Sequence, residues 1–296
     1  MPINNSHHSY RNLGMDVQHF FDKDTSTLSY IVYDKDTRDA VIIDPVLNFD
    51  LSTGVIEDHS MKELVAFITK HNLNPLYSME THAHADHMSS SRELKNIFPN
   101  IKIAISENIK IVQKSFKDVL GLEDSFKMDG SQFDKLIKND ETFNAGSISI
   151  HAIPTPGHTP ACLSYHIENM VFCGDALFVP DLGTGRCDFP EGCADALYTS
   201  VHERLYKLPD DTIIFTGHDY CPNGRELKIE STIGVSKRQN GHLKEETKRE
   251  DYIKFREARD KTLPAPKLLF ASIQVNIDGG TLPKALKVPL TKKLSS

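Results

Sequence analysis

In this 296-residue chain, the run THAHADH (81–87) is the stretch that most directly indicates the fold and the kind of site. It follows a short apolar stretch at 76–81 that reads as a β-strand. His82 and His84 are two positions apart, so at the end of a strand both side chains can point to one face. Imidazole and carboxylate groups are the ligands that zinc, iron and manganese take in proteins. Buried without a metal, several of these groups would lack partners, at about 1–3 kcal/mol each. The run therefore predicts a metal site.

Three later apolar stretches each end in a glycine followed by a further potential ligand. Glycine after a strand permits a sharp turn and close backbone approach. We expect the carboxyl ends of these strands to meet at one edge of a sheet, where loops on a rigid scaffold assemble a site. With Asp86 and His87, the set offers enough ligands for two adjacent metals with Asp175 between them. The stretches are 148–158, 169–175 and 212–218, and they end in Gly157-His158, Gly174-Asp175 and Gly217-His218.

The remaining pattern indicates an α/β layered domain, because strand-like and helix-like segments alternate. Asp86 and His87 are expected at the start of a helix over 88–97, where free N–H groups stabilise negative charge. The segments are predicted strands at 28–33 and 39–45, helices at 60–72, 88–97 and 243–259, and a strand-like piece at 270–277.

Composition excludes several classes of protein. The net charge of −7 argues against a nucleic-acid partner, which needs clustered positive charge. No stretch approaches the roughly 20 apolar residues of a membrane-spanning helix, and no secretory signal is visible. We therefore expect a cytoplasmic protein without a membrane partner. Five irregularly spaced cysteines predict reduced thiols rather than a disulfide framework or a zinc finger.

The motifs together resemble the signature of the metallo-β-lactamase superfamily. HAHADH (82–87) is followed after 71 residues by His158, after 17 more by Asp175, and after 43 more by His218. The resemblance spans about residues 15–220. It implies an αββα sandwich with the metal at one edge of the sheets, divided as a catalytic domain over 1–221 and a C-terminal extension over 222–296 packed on it.

Within that superfamily the chain is most similar to the glutathione-dependent branch of persulfide dioxygenases (sulfur dioxygenases) and glyoxalase II hydrolases. Four stretches favour the dioxygenases. One departure is Cys187, which stands where that branch usually has threonine. The stretches are TPGHTPACLSY (155–165), GTGRCDF (183–189), HDY (218–220) and LPAPKLLFASIQVNIDGGTLP (263–283).

The resemblance implies one Fe(II) per chain, held by His82, His158 and Asp175. Such a triad leaves coordination positions open for a thiol-derived substrate and O₂. Asp86, His87 and His218 then orient the ligands and hold water, and His84 falls between the two roles. The implied reaction oxidises glutathione persulfide with O₂ and water to sulfite and glutathione.

Two further residues are candidates for contact with the substrate. Tyr220 is placed to hydrogen-bond to oxygen or substrate, and the alternative is a core residue with a satisfied hydroxyl. The planar fork of Arg186 suits a glutathione carboxylate, and the competing interpretation is an internal ion pair with Asp188. Cys187 and Cys221 lie beside the motifs but have no evident base, so both are interpreted as small buried packing residues.

Two alternative functions stay open. The first is a glyoxalase II-type thioester hydrolase with two zinc ions, in which Asp86, His87 and His218 are true ligands. The second is a non-catalytic metal-binding or sulfur-sensing protein on the same fold. Homodimers are common in the resembling family, and the C-terminal extension is a candidate interface.

Overall fold

The computed structural model describes residues 14–289. The strands are β1 (Met15–Asp22), β2 (Thr27–Asp34), β3 (Asp39–Ile43), β4 (Val46–Asp50), β5 (Val55–Glu57), β6 (Asn74–Met79), β7 (Met88–Ser89), β8 (Lys102–Ser106), β9 (Lys135–Ile137), β10 (Thr142–Ala145), β11 (Ile148–Pro154), β12 (Leu163–Ile167), β13 (Met170–Phe172), β14 (Ile213–Phe215) and β15 (Glu230–Thr232). The helices are α1 (His59–Lys70), α2 (Ser91–Ile97), α3 (Ile109–Leu120), α4 (Ala194–Glu203), α5 (Ile233–Gln239), α6 (Arg249–Asp260) and α7 (Leu269–Asn276).

Two six-stranded sheets form the centre of the fold. The first has the order β1-β2-β3-β6-β8-β9, and its strands are antiparallel up to β3 and parallel from there. The second has the order β10-β11-β12-β13-β14-β15, in which only β13 and β14 are parallel neighbours. A small third sheet, β5-β4-β7, lies beside them.

Apolar side chains from both sheets face each other in one core, and helices cover the outer faces. Tyr30 of β2 meets Phe172 and Phe215 of the second sheet edge-on, with ring centroids 5.3 Å apart in both cases. The Tyr30 hydroxyl donates to the carbonyl of Thr216 at 2.6 Å, so its polar end is satisfied although the ring is buried. Helices α1 and α2 pack on the first sheet and α4 and α6 on the second. The αββα layering predicted above is confirmed.

The convergence of strand ends is also confirmed. Because β11 and β13 are each antiparallel to β12, and β14 is parallel to β13, all three run in the same direction. The loops after them carry His158, Asp175 and His218. Backbone hydrogen bonds join the sheets at this edge, from Leu28 N to Gly217 O at 2.8 Å and from Leu163 N to Thr81 O at 2.9 Å.

Three predicted elements differ from the structure. Helix α2 begins at Ser91, after the short strand β7, so Asp86 and His87 lie in a loop and not in a first helical turn. The predicted helix 243–259 begins only at Arg249. The strand-like piece at 270–277 is helix α7. Its residues from Ala271 to Asn276 are all buried, and apolar and polar residues alternate along them, which is the two-residue pattern of a strand and not the 3.6-residue pattern of a helix.

The part of the chain after residue 221 adds a strand to the second sheet and packs against elements of the preceding chain. Strand β15 pairs with β14 in the second sheet, and α6 packs on α4. Helix α7 contacts α3 and β7, which places it under the loop that carries the histidine run. The division of the chain at residue 221 stays a prediction.

Candidate metal centre

The loop after β6 is held by a carboxylate at the end of β3. Asp44 accepts hydrogen bonds from Thr81 N and Thr81 Oγ1, both at 2.7 Å. Since the Thr81 hydroxyl donates its proton to Asp44, it accepts from His82 Nδ1 at 3.0 Å. This chain of contacts assigns the proton of neutral His82 to Nδ1 and leaves the Nε2 lone pair free.

His158 and Asp175 reach the same place from the second sheet. His158 Nδ1 donates to the carbonyl of Arg186 at 2.7 Å, which again leaves Nε2 as the free nitrogen. The turns before them require glycine. Gly157 has φ +145°, Gly174 has φ +50°, and a Cβ would collide with Leu197 in the first case and with Thr81 Oγ1 in the second.

These three side chains form one compact group. Ligand atoms of His82, His158 and Asp175 all lie within 4.8 Å of one another, and all three residues are buried. The two imidazole rings are 4.8 Å apart and nearly perpendicular, and His158 Nε2 is 3.5 Å from Asp175 Oδ2. Burial first, and then the charges of His84 and His158, hold the pKa of His82 well below its usual value. The neutral imidazole that binds metal is therefore the favoured form.

A second group lies beside the first. His87 Nδ1 donates to Met88 O at 3.1 Å, which leaves its Nε2 unpartnered among the described residues, and His218 Nδ1 donates to Ser26 O at 3.2 Å. His218 Nε2 lies 3.2 Å from Asp86 Oδ2 and 3.3 Å from Asp175 Oδ1. Ligand atoms of His84, Asp86 and His87 also lie within 4.8 Å of one another. The predicted second-site residues are therefore adjacent to the first group.

Unpartnered buried atoms test whether a metal fits. Within residues 14–289, five buried atoms of the two groups make no hydrogen bond. Each would cost about 1–3 kcal/mol if left unsatisfied, and three are imidazole nitrogens whose other nitrogen is already fixed. The donor set and its orientation suit a divalent transition metal. The five atoms are His82 Nε2, His84 Nδ1, His87 Nε2, Asp86 Oδ2 and Asp175 Oδ1.

His84 makes different contacts from His82. Its Nε2 is 3.0 Å from Asp44 Oδ1 and 3.4 Å from Glu80 Oε2. Burial works against the protonated form of His84, but the charges of Asp44 and Glu80 and the hydrogen bonds to them raise its pKa well above the usual value. Glu80 in turn accepts from Ser91 Oγ at 2.6 Å. His84 is thus tied into a buried acidic network through Nε2, while its buried Nδ1 makes no hydrogen bond within the described residues.

Tyr220 and Arg186 both line a cavity that His158 and Asp175 also line. Tyr220 is 55% exposed and its ring stacks on His218 at 5.7 Å, so the interpretation of Tyr220 as a core residue is wrong. Arg186 donates Nε and Nη2 to the two oxygens of Asp188 at 2.6 and 2.7 Å, and Nη1 to Pro264 O at 2.7 Å. The internal ion pair is present, and it fixes the Arg186 fork at the cavity wall.

The cavity has a volume of about 1040 Å³. Asp86, His158 and Asp175 line it, and so do residues 24–26 of the turn between β1 and β2. One wall is the hairpin β4–β5, and another is the segment Pro266–Leu268 before α7. A small organic molecule therefore has room to contact the metal group directly.

Several residues that hold the site in place are not among those predicted from the sequence. Asp219, fully buried between His218 and Tyr220, accepts two hydrogen bonds from Arg225, at 2.6 and 2.7 Å, and so fixes that loop. Asp44 could be recognised from the sequence as a candidate site residue, because it is an acidic residue directly after an apolar strand. Asn276, which contacts the histidine loop, could not, because its segment reads as a strand.

The cysteines near the motifs differ in their surroundings. Cys187 is buried, and burial followed by the charge of Asp260 raises the pKa of its thiol. Cys221 is partly exposed, so its interpretation as a buried packing residue is wrong. Its pKa is raised by burial and by Asp219, which disfavours the nucleophilic thiolate.

Comparison with known proteins gives the family. The sequence profile described as the Metallo-beta-lactamase superfamily matches residues 22–218. Glyoxylase B2 of Dictyostelium discoideum is 44% identical over 282 residues, which cover 93% of this chain and 96% of that protein. The mitochondrial persulfide dioxygenase ETHE1 of Homo sapiens is 33% identical over 206 residues, 69% of this chain and 68% of that protein.

A solved structure is similar to this chain over most of its length. The crystal structure of ETHE1 from Myxococcus xanthus superposes with a TM-score of 0.72 and 29% identity, covering 90% of this chain and 99% of that one. Within the described residues, no helix is long and apolar enough to cross a membrane. Relatives named as a glyoxylase and as a persulfide dioxygenase both match more than two thirds of this chain. On the matched profile, the identities and the layered fold, the chain belongs to the metallo-β-lactamase superfamily.

Proposed function

We propose that this chain is an iron-dependent persulfide dioxygenase that converts glutathione persulfide, O₂ and water into glutathione, sulfite and two protons. One observation carries the proposal. His82, His158 and Asp175 form a buried two-histidine, one-carboxylate group, whereas His84 lies in a separate group with Asp86 and His87. Two histidines and one carboxylate are the usual ligand set of non-haem iron(II) oxygenases. Iron(II) held in this way supplies redox chemistry and open coordination positions.

The chain's own residues prepare this group before any metal arrives. Thr81 and the carbonyl of Arg186 hold the Nδ1 atoms of His82 and His158, so that both Nε2 lone pairs are fixed toward Asp175. His158 Nε2 lies 3.5 Å from Asp175 Oδ2 and His218 Nε2 lies 3.3 Å from Asp175 Oδ1, so an imidazole nitrogen lies near each oxygen of that carboxylate. Such outer contacts commonly change metal affinity 10–100-fold.

The charges around the cavity suit a zwitterionic thiol such as glutathione, which carries two carboxylates and one ammonium group. Arg186 and Lys267 supply positive charge, and Asp24, Asp50 and Glu57 supply negative charge. Hydrogen bonds from Ser52 and Thr53 lower the pKa of Asp50 to about 2, so this wall stays ionised at neutral pH. Tyr220, beside His218, is placed to donate a hydrogen bond to the sulfur end of the substrate.

A second candidate function is a thioester hydrolase with two zinc ions. Its support is the second group, in which His87 Nε2 is unpartnered among the described residues and His218 Nε2 lies between Asp86 and Asp175. The 44% identity to Glyoxylase B2 points the same way. In that reaction Asp86, His87 and His218 are metal ligands, and a metal-activated water attacks the thioester carbonyl.

One preparation separates the candidates. Protein purified from cells supplied with iron and zinc is analysed for both metals, then assayed for O₂ uptake on glutathione persulfide and for hydrolysis of S-lactoylglutathione. One iron per chain with persulfide-dependent O₂ uptake supports the dioxygenase. Two zinc ions per chain with thioester turnover overturns it in favour of the hydrolase. Full metal loading with neither activity favours a non-catalytic metal-binding or sulfur-sensing protein.

A further inference from the structure

Asn276, the last residue of α7, contacts the histidine loop across nearly two hundred residues of sequence. Its Nδ2 donates to the carbonyl of His84 at 2.8 Å and to the carbonyl of His87 at 2.8 Å. Its Oδ1 accepts from Ser89 N at 2.8 Å. The side chain is 3% exposed, so none of these bonds competes with bulk water. All of its amide hydrogen-bonding groups are therefore spent on one loop.

The three contacts fix both ends of a short piece of backbone. The carbonyls of His84 and His87 bracket Ala85 and Asp86, and the Ser89 N–H follows directly. These residues have no helical hydrogen bonds of their own, since α2 begins only at Ser91. Buried peptide groups need partners, and here a side chain supplies them.

The same loop is held at its other end by Asp44. That carboxylate bonds Thr81 N, Thr81 Oγ1 and His84 Nε2. Asp44 thus fixes the side that carries His82, and Asn276 fixes the backbone that carries Asp86 and His87. The two anchors come from distant parts of the sequence and hold different halves of the loop.

We propose that Asn276 is a positioning residue of the metal centre, through which the C-terminal segment sets how tightly the 82–87 loop holds its metal. The inference rests on the metal-binding part of the proposed function and not on the reaction. It holds for iron and for zinc alike. Metal retention should therefore depend on an amide group that touches no ligand atom.

The test replaces the amide with a carboxylate of nearly the same shape. Asn276→Asp keeps the acceptor for Ser89 N but sets oxygen against the two carbonyls that the amide bonds. A new negative charge near the centre would by itself tighten cation binding. Loss of the hydrogen bonds from Asn276 to the loop would instead weaken cation binding. The two explanations therefore predict opposite signs.

A matched control lies on the same helix. Gln274 is also buried, and its amide bonds Lys287 O at 2.7 Å and Lys287 N at 2.8 Å, within the C-terminal segment. Gln274→Glu makes the same chemical change away from the histidine loop. Asn276→Ser, which keeps a small hydroxyl without added charge, replaces Asn276→Asp if that variant does not fold.

The measurement is the rate at which bound iron, and separately bound zinc, passes to an excess of chelator, together with the thermal midpoint of the metal-free protein. We expect release about tenfold faster or more in Asn276→Asp or Asn276→Ser and unchanged in Gln274→Glu. Wild-type release rates in a folded Asn276 variant, with only the metal-free midpoint lowered, would overturn the proposal. Because release is read without turnover, the result stands whichever reaction the chain catalyses.

Discussion

His84 directs its Nε2 atom to Asp44 Oδ1 at 3.0 Å, whereas His82 keeps its Nε2 free of any hydrogen bond within the described residues. The two histidines are neighbours on one loop, with ring centroids 4.0 Å apart. Each ring thus has one nitrogen held by the protein, and the nitrogen left unpartnered is Nε2 in His82 but Nδ1 in His84. Because His82 lies in the group with His158 and Asp175 whereas His84 lies with Asp86 and His87, we expect a single iron held without His84.

The first prediction concerns metal content. His82→Gln is expected to lose iron, because one of three ligands is gone. His84→Gln is expected to retain close to one iron per chain but to unfold more easily, by about 3 kcal/mol or more, because the buried Asp44 charge loses its partner. Elemental analysis and urea unfolding give the two quantities. Iron lost in a folded His84→Gln protein would make His84 a ligand and contradict the single-iron assignment.

The second prediction concerns recognition of the substrate. Lys267 lies at the cavity wall and is exposed, so its charge is screened and worth about 1 kcal/mol to an anionic group. Lys267→Ala should raise KM for glutathione persulfide roughly fivefold and leave kcat nearly unchanged. Lys261→Ala, an exposed lysine outside the cavity lining, is the control. Equal KM values in both variants would remove Lys267 from substrate binding.

The third prediction concerns the buried ion pair under the Arg186 loop. Arg256 Nε donates to Asp260 Oδ1 at 2.8 Å, and Asp260 Oδ2 accepts from Cys187 N at 2.8 Å. Asp260→Asn leaves a buried guanidinium without its counter-charge and should lower the free energy of unfolding by about 3–5 kcal/mol. Asp251→Asn, exposed on the same helix, should change it by no more than about 0.5 kcal/mol. Urea titration measures both, and equal midpoints would contradict the expectation.

The fourth prediction is a pH dependence set by His242. Burial, and then the charges of Arg256 and Arg259, lower the pKa of His242 to about 4, while its Nδ1 accepts from Thr184 N at 3.1 Å. The unfolded chain binds a proton on this group at pH values where the folded chain does not, so stability falls as the pH drops below about 6.5. The loss between pH 7.5 and pH 5 should be roughly 1–2 kcal/mol.

His242→Asn tests that dependence, because the amide oxygen replaces the Nδ1 acceptor without a titrating group. The difference in unfolding free energy between pH 7.5 and pH 5 should shrink in this variant relative to the wild-type chain. Thermal or urea unfolding at the two pH values measures it. An unchanged difference would assign the pH dependence to other groups.

Much of the site follows from the sequence alone. The run 81–87 and the three Gly-ligand strand ends were enough to predict a metal site at one sheet edge, because a strand fixes which way its last residues point and three of these strands run the same way. The layered fold followed from the alternation of strand and helix patterns.

Only the tertiary structure shows which contacts hold each of the predicted ligands in place. Asp44 and Asn276 lie about 40 and 190 positions from the residues they hold, and no local pattern connects them. Helix α7 was predicted as a strand because its apolar and polar residues alternate one by one, and tertiary hydrogen bonds allow the polar ones to be buried as well. The sequence by itself predicts a metal site at the run 81–87. Contacts with Thr81 and Asp44, which depend on the folded chain, decide that His82 keeps Nε2 unpartnered whereas His84 gives that nitrogen to Asp44.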